Sequence, residues 1–264
     1  MFVMIKNMKS LFYSAQQEEK IEIPIPNTTL HINGILRGGW DKPLAILLHG
    51  LPGSNRGILS FLGAKLLAEA GISTLRINLY DEGPDTRDMV DCLLQTHADD
   101  FDTIVDYVRE KGTPKIMAAG HSYGGLTILR SKAKLDSAVL WDPSHFKCSR
   151  EYDDERYKQR HLLLEDEGLV VFLEGRGYLD PLPMVKEREK YMNVPAEELA
   201  KKNYPILFIA AGKSNLPPYI REYYEVARDP KKMIVIDDAS HSFEDTDEIL
   251  FKVFSETIDW FKRR

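Results

Sequence analysis

One short stretch constrains the fold of this chain more than any other. The apolar run at residues 115–120 ends abruptly at Ser122, which lies between glycines in the pattern Gly-His-Ser-Tyr-Gly. Glycine on both sides permits a turn tight enough to join a strand directly to a helix and to push the serine hydroxyl outward. Backbone strain of this kind is tolerated where a function requires it. The stretch therefore predicts that Ser122 is a nucleophile at the end of a buried strand.

Strand and helix patterns alternate on both sides of this turn. A hairpin at residues 20–24 and 28–37 comes first, and it predicts an antiparallel sheet edge. Further strands are predicted at residues 43–49, 73–80, 115–120, 136–141, 205–211 and 231–237. Helices are predicted at residues 58–70, 98–110, from the serine turn to 133, 218–227 and 244–261. The pattern predicts an α/β fold, with a mostly parallel twisted sheet of about eight strands and helices on both faces.

The alternation is interrupted between residues 143 and 204. This segment is charged, helix-prone and punctuated by glycine and proline, and it separates two strands that otherwise need only a short crossover. We interpret it as a small helical cap inserted after the strand at residues 136–141. A chain of 264 residues with 43% hydrophobic content can bury one sizeable core. We therefore expect a single domain over residues 1–264 that carries this insertion.

Charge and cysteine content exclude several classes of partner. The net charge is −6 and the basic residues are scattered, which argues against a nucleic-acid surface or a polybasic membrane patch. Two cysteines are too few for a disulfide framework and suit a reducing compartment. The apolar run at residues 1–5 is too short for a signal peptide or a membrane span. We expect a cytoplasmic protein whose partner is a small molecule, and the sequence leaves its oligomeric state open.

Two other stretches bear on the serine. The sequence His-Gly-Leu-Pro-Gly at residues 49–53 ends a buried strand, where a glycine turn can direct backbone N–H groups at a developing oxyanion. We predict the amides of Leu51 and Tyr123 as the pair. A phosphate-binding loop is disfavoured because the Gly-Lys-Ser/Thr ending is missing. His241 lies after the last predicted strand and is the candidate general base, whereas His121 is expected to support the serine turn.

These motifs, together with the acidic loop that begins at residue 81, occur in the order and spacing of the α/β-hydrolase family. The chain resembles capped serine esterases of that family, and is similar to small feruloyl or cinnamoyl esterases and dienelactone-hydrolase-like enzymes. The resemblance runs from about residue 32 to the C-terminus and is weakest in the insertion. It implies a Ser–acid–His triad, an acyl-enzyme intermediate and neither a cofactor nor a metal.

The acid departs from the family pattern. Asn215 stands in the loop after residues 205–211 where such esterases carry aspartate, and an amide can hold the histidine in the wrong tautomer. Asp142 ends the neighbouring strand before a proline, and pancreatic-type lipases place their acid in a similar context. Either Asp142 is the triad acid, or Asn215 is a genuine replacement and activity is weak. Three acidic residues lie too close to His241 in sequence to be favoured: Asp237, Asp238 and Asp245.

The substrate has to be predicted from the insertion. His145, Phe146 and Phe172 are candidates to line an acyl pocket, although such residues commonly fix an insertion onto its domain instead. Together with the triad, they predict hydrolysis of a small carboxylic ester. The same triad permits hydrolysis of peptides, thioesters or lactones. A weakly active or non-catalytic ligand-binding homologue is the other alternative, and Asn215 favours it.

Overall fold

The computed structural model describes residues 18–81, 83–145, 161–164, 169–172, 179–181, 183, 187 and 194–264. The strands are β1 (Glu18–Pro24), β2 (His31–Arg37), β3 (Leu44–Leu48), β4 (Ser73–Ile77), β5 (Ile116–His121), β6 (Ser137–Trp141), β7 (His161–Leu164), β8 (Leu169–Phe172), β9 (Leu179–Pro181), β10 (Ile206–Ala211) and β11 (Lys231–Ile236). The α-helices are α1 (Ile58–Glu69), α2 (Leu94–Glu110), α3 (Tyr123–Arg130), α4 (Val194–Leu199), α5 (Pro217–Val226) and α6 (Asp247–Arg263), with a 3₁₀-helix at Met89–Asp91.

Eight strands form the main sheet in the order β1-β2-β4-β3-β5-β6-β10-β11. The edge hairpin β1–β2 and the β2–β4 pair are antiparallel. The five remaining pairs, from β4 to β11, are parallel. The sheet thus has the predicted α/β architecture, including the antiparallel edge, and the predicted elements match the observed ones to within a few residues.

The central strands are buried on both faces because helices cover both sides of the sheet. All five residues of β3 are buried, and alternate side chains enter opposite cores. Ile46 belongs to the core beneath α2, α3 and α5, which also contains Phe101. Leu47 belongs to the core beneath α1 and α6, which contains Phe254. The continuous apolar runs of the sequence reflect this double coverage.

The insertion between β6 and β10 contains strands as well as a helix. Strands β7, β8 and β9 form a separate antiparallel sheet, and the short helix α4 precedes β10. The first two of these strands are formed by runs rich in leucine and valine, and valine has a high strand propensity. The sequence analysis expected helix here because the segment as a whole is charged. The division of the chain into one domain with a cap at residues 143–204 stays a prediction.

Candidate active site

Ser122 occupies a strained turn between β5 and α3. Its φ and ψ are 53° and −116°, a left-handed conformation that is rare outside glycine. A Cβ on Gly120 would lie 2.6 Å from the carbonyl oxygen of Gly124, and one on Gly124 would lie 2.6 Å from the carbonyl oxygen of His49. Neither glycine can be replaced without moving main chain. The turn therefore forms as the sequence predicts, and it presents Ser122 at the carboxyl end of the central strand β5.

Ser122, His241 and Asp142 form a continuous hydrogen-bonded row. His241, in the loop after β11, has Nε2 2.9 Å from Ser122 Oγ and Nδ1 2.7 Å from Asp142 Oδ2. Asp142 follows β6 directly and is fully buried. His241 follows Asp142 by 99 residues and Ser122 by 119 residues in the sequence. The parallel sheet brings the three side chains together because the carboxyl ends of its strands share one edge.

The row fixes the tautomer of His241. A carboxylate only accepts hydrogen bonds, so the short contact with Asp142 requires His241 Nδ1–H to donate. The other ring nitrogen, Nε2, is then an acceptor for the Ser122 hydroxyl. The His241 side chain is 43% exposed, which leaves the ring open to water. Histidine in this state can take the serine proton as a general base.

The competing acids lie elsewhere. Asn215 is exposed in the loop after β10, while His241 Nδ1 is engaged by Asp142. Asp245 accepts hydrogen bonds from the Ser240 backbone N–H and hydroxyl, which lower the pKa of its carboxyl group. Asp237 and Asp238 are exposed. Of the two residues that the sequence left open at the acid position, Asp142 and Asn215, the geometry favours Asp142.

The loop after β3 runs directly beside the nucleophile. A Cβ added to Gly50 would lie 2.9 Å from Ser122 Cβ, so this backbone approaches the serine as closely as glycine allows. Leu51 follows Gly50 in the same loop. Tyr123 is the first residue of α3, where backbone N–H groups point out of the helix and carry partial positive charge. The arrangement suits the two amides that the sequence analysis proposed as an oxyanion hole.

Two side chains that the sequence analysis did not single out hold this loop. The backbone N–H of Gly53 donates to the Tyr80 hydroxyl at 2.7 Å. The backbone N–H of Asn55 donates to Asn78 Oδ1 at 2.7 Å. Both anchoring residues follow β4, next to β3 in the sheet. Their position after a buried strand was the available signal, but the sequence does not show which loop they reach.

His49 fixes the start of the same loop. Its Nε2 accepts a hydrogen bond from the Leu79 backbone N–H at 3.0 Å, so its Nδ1–H donates to the Gly50 carbonyl oxygen at 2.7 Å. Burial lowers the pKa of His49 to about 4, which keeps the ring neutral near neutral pH. His49 is therefore a structural member of the loop with no free nitrogen for proton transfer.

His121 contacts the main chain of His241, whereas the sequence analysis expected it to support the serine turn. Its Nε2–H donates to the backbone carbonyl oxygen of His241 at 2.8 Å, and the two rings lie 4.8 Å apart. Burial, aided by the neighbouring His241, lowers the pKa of His121 to about 3. The neutral ring thus holds the main chain of the candidate general base.

Of the three residues predicted to line the acyl pocket, the structure describes the side chain of His145. His145 is buried against two aromatic rings, with centroids 4.6 Å from Tyr223 and 5.3 Å from Tyr219. It is thereby part of the packing between the start of the insertion and α5. Phe146 lies outside the described residues, as does the side chain of Phe172. A role for these three residues in binding substrate stays a prediction.

Ser144 contacts the nucleophile, which the sequence analysis missed. Its Oγ lies 2.9 Å from Ser122 Oγ, and its backbone N–H donates to the Ser122 carbonyl oxygen at 3.1 Å. The only signal was its place two residues after Asp142.

Within the described ranges, no cluster of three or more His, Cys, Asp or Glu residues could hold a metal ion. No helix in the described part of the chain is long and apolar enough to cross a membrane.

The family model of the alpha/beta hydrolase family matches residues 45–251, which include every member of the row. The chain belongs to this family. No curated protein sequence matches it. Solved structures share the fold: Est1E from Butyrivibrio proteoclasticus, in a structure with bound ferulic acid, aligns with 92% of this chain and 98% of its own at 18% identity and a TM-score of 0.71.

Two further structures show the same likeness. Dienelactone hydrolase from Anabaena variabilis aligns with 94% of this chain and 97% of its own, at 16% identity and a TM-score of 0.65. An esterase domain of a Rhodothermus marinus protein aligns with 94% and 98%, at 16% identity and a TM-score of 0.67. The resemblance stated from the sequence motifs is confirmed at the level of family and fold.

Proposed function

We propose that the protein is a serine hydrolase that cleaves small carboxylic esters through an acyl-enzyme intermediate. One observation carries the proposal: the Ser122 hydroxyl, His241 and the buried Asp142 lie in a hydrogen-bonded row with contacts of 2.9 and 2.7 Å. This is the arrangement in which a histidine base activates a serine and a carboxylate orients the histidine.

Acylation begins with attack of Ser122 Oγ on the ester carbonyl carbon. The serine proton moves to His241 Nε2, and the carboxylate of Asp142 stabilises the imidazolium that results. The carbonyl oxygen becomes an oxyanion beside the Leu51 and Tyr123 amides, each of which should stabilise the transition state by about 3 kcal/mol. The carbon–oxygen bond to the alcohol then breaks, and the leaving alcohol takes the proton from His241.

Deacylation repeats these steps with water. A water molecule beside the partly exposed His241 gives a proton to Nε2 and attacks the acyl carbon. The second tetrahedral intermediate collapses by expelling Ser122 Oγ, which recovers the proton from His241. The carboxylic acid leaves, and the row returns to its starting state.

The ester class is supported by two structural relatives. One is described as an esterase domain, and another holds ferulic acid, an aromatic carboxylic acid of the kind that ester hydrolysis releases.

A p-nitrophenyl ester series of rising acyl length, run beside a lactone, a thioester and a peptide anilide, tests the assignment. We expect the highest kcat/KM for short or aromatic esters. A preference for long chains, or for the peptide anilide, would contradict it.

The nucleophile can be tested directly. A fluorophosphonate probe should label the wild-type protein at one serine, and Ser122→Ala should abolish both the label and ester hydrolysis. Ser255→Ala is the matched control, since Ser255 is exposed on α6 and its hydroxyl donates to the Lys252 carbonyl oxygen in the same helix. Absence of labelling in the wild type, or labelling that survives Ser122→Ala, would overturn the proposal.

The proposal includes a cytoplasmic location. Its support is the small number of cysteines, together with the buried, unpaired thiol of Cys92. Fractionation of cells that produce the protein with its native N-terminus tests this. Recovery in a secreted or membrane fraction would count against it.

A further inference from the structure

The loop at residues 49–57, between β3 and α1, is called the oxyanion loop below. Ser144 lies on the opposite side of Ser122 from this loop. Strand β5 carries Ser122 and lies between β3, which leads into the oxyanion loop, and β6, which leads into Asp142 and Ser144. Ser144 Oγ approaches Ser122 Oγ to 2.9 Å from the β6 side. Its hydroxyl therefore contacts the reacting oxygen of the nucleophile.

The direction of this hydrogen bond follows from the rest of the row. His241 Nδ1–H donates to Asp142, so Nε2 accepts and receives the single proton of the Ser122 hydroxyl. Ser122 has no other proton to give. The Ser144 hydroxyl must then be the donor in the contact between the two serines, and Ser122 Oγ is the acceptor.

The main chain of Ser144 is fixed from two sides. Its N–H donates to the Ser122 carbonyl oxygen at 3.1 Å, and its own carbonyl oxygen accepts from the Tyr223 hydroxyl at 3.2 Å. The preceding Pro143 packs on the nucleophile turn, since a Cβ on Gly125 would lie 2.8 Å from Pro143 Cβ. The donor is thus held in place before any substrate binds, as effective electrostatic catalysis requires.

We propose that Ser144 is a fourth catalytic side chain, which donates a hydrogen bond to Ser122 Oγ while that oxygen carries negative charge. In acylation the proton of Ser122 moves to His241 Nε2, the Oγ electron pair forms the bond to carbon, and the Ser144 proton stays on Ser144. A hydrogen bond to a charged oxygen is stronger than one to a neutral hydroxyl, so the contact strengthens as the proton leaves. The same bond assists the departure of Oγ in deacylation. This inference rests on the proposed serine mechanism.

The test compares Ser144→Ala with the wild type in pre-steady-state and steady-state ester hydrolysis. We expect kcat and the burst rate to fall about 10- to 100-fold with KM nearly unchanged, because the lost bond is strongest in the transition states. Ser144→Thr retains a hydroxyl and should recover most of the rate, and Ser144→Cys, a weaker donor, should fall between alanine and threonine.

Ser255→Ala is the matched control. It removes an exposed serine hydroxyl on α6 that donates to the Lys252 carbonyl oxygen and leaves the contacts of Ser144 intact. Wild-type kcat and burst rate are expected. Unchanged kcat and burst rate in Ser144→Ala would overturn the inference, as would equal losses in the alanine and threonine variants when all have wild-type thermal stability. If instead the wild type shows no burst and no Ser122 labelling, the serine mechanism itself fails.

Discussion

The carboxylate of Asp142 is anchored by the backbone of Ala211. Asp142 Oδ1 accepts a hydrogen bond from the Ala211 N–H at 2.9 Å, and this leaves Oδ2 directed at His241 Nδ1. The Asp142 backbone N–H also donates to the Ile209 carbonyl oxygen at 2.7 Å, so β10 fixes both the main chain and the side chain of the acid. Backbone groups of β10 thereby orient the carboxylate that follows the neighbouring strand β6.

This anchoring predicts the effect of Asp142→Asn. The Ala211 N–H will keep the amide oxygen at the Oδ1 position, so the amide NH₂ will face His241 and force Nδ1 to accept. Nε2 then carries the proton and cannot take one from Ser122. We expect kcat to fall by about 10⁴-fold, the cost of the wrong tautomer in such a triad, with the fold preserved.

Asn215→Asp is the matched comparison for Asp142→Asn. Asn215 is exposed, and His241 is already oriented by Asp142, so steady-state ester hydrolysis should change by less than about twofold. A large gain in Asn215→Asp, together with a small loss in Asp142→Asn, would show that the site is built for an acid after β10.

A second prediction concerns the support of the general base. His121→Phe keeps an aromatic ring beside His241 but removes the N–H that holds its carbonyl oxygen. We expect kcat/KM to fall about tenfold, because a shift of the His241 loop misplaces Nε2 relative to Ser122. Ester hydrolysis at saturating and limiting substrate measures it. His31→Phe, at the start of β2 in the edge hairpin, is the control, and equal activity in the two variants would contradict the assigned role.

The sequence predicted the parts of the site that follow directly from strand ends. Continuous apolar runs located β5, β6 and β11, and the carboxyl ends of parallel strands share one edge, so Ser122 and His241 were expected to meet. The same reasoning brought Asp142 into consideration. It could not decide between Asp142 and Asn215, because that choice depends on which side chain the loops turn toward His241.

The missed features depend on conformations that no local pattern specifies. Asp142 has φ of 41°, an unusual left-handed value that sends the following residues back over the nucleophile turn. This bend allows the Ser144 side chain to contact Ser122. The reach of Tyr80 to Gly53 likewise joins loops after two different strands. Such contacts arise from tertiary packing, whereas sequence periodicity reports only on single elements.

A third prediction concerns stability at acidic pH. Burial lowers the pKa of His49 to about 4 and those of His97 and His121 to about 3, from 6.5 in an unfolded chain. Below about pH 6.5 the unfolded chain therefore binds protons that the folded protein does not, and the free energy of unfolding falls as pH falls. Three such groups give a slope that approaches about 4 kcal/mol per pH unit near pH 5.

Urea denaturation from about pH 7 to about pH 5 measures this slope in the wild type and in His97→Gln. The variant has lost one buried imidazole, so its slope near pH 5 should be about 1.4 kcal/mol per pH unit smaller. The difference between the two proteins isolates His97 from all groups that they share. Parallel curves would show that His97 titrates normally in the folded protein.

The last prediction concerns the approach of the oxyanion loop to the nucleophile, which two glycines of that loop test. A Cβ on Gly50 would meet Ser122 Cβ at 2.9 Å and His121 Nδ1 at 3.0 Å, so Gly50→Ala must push the loop away from the serine. Loss of one oxyanion donor costs on the order of 100-fold in kcat, and we expect a fall of that size. At Gly57 a Cβ would meet only the Ser54 carbonyl oxygen at 3.4 Å, with φ of −57°. Gly57→Ala should therefore retain wild-type kcat, and equal kcat in the two variants would mean that the loop does not serve the reaction.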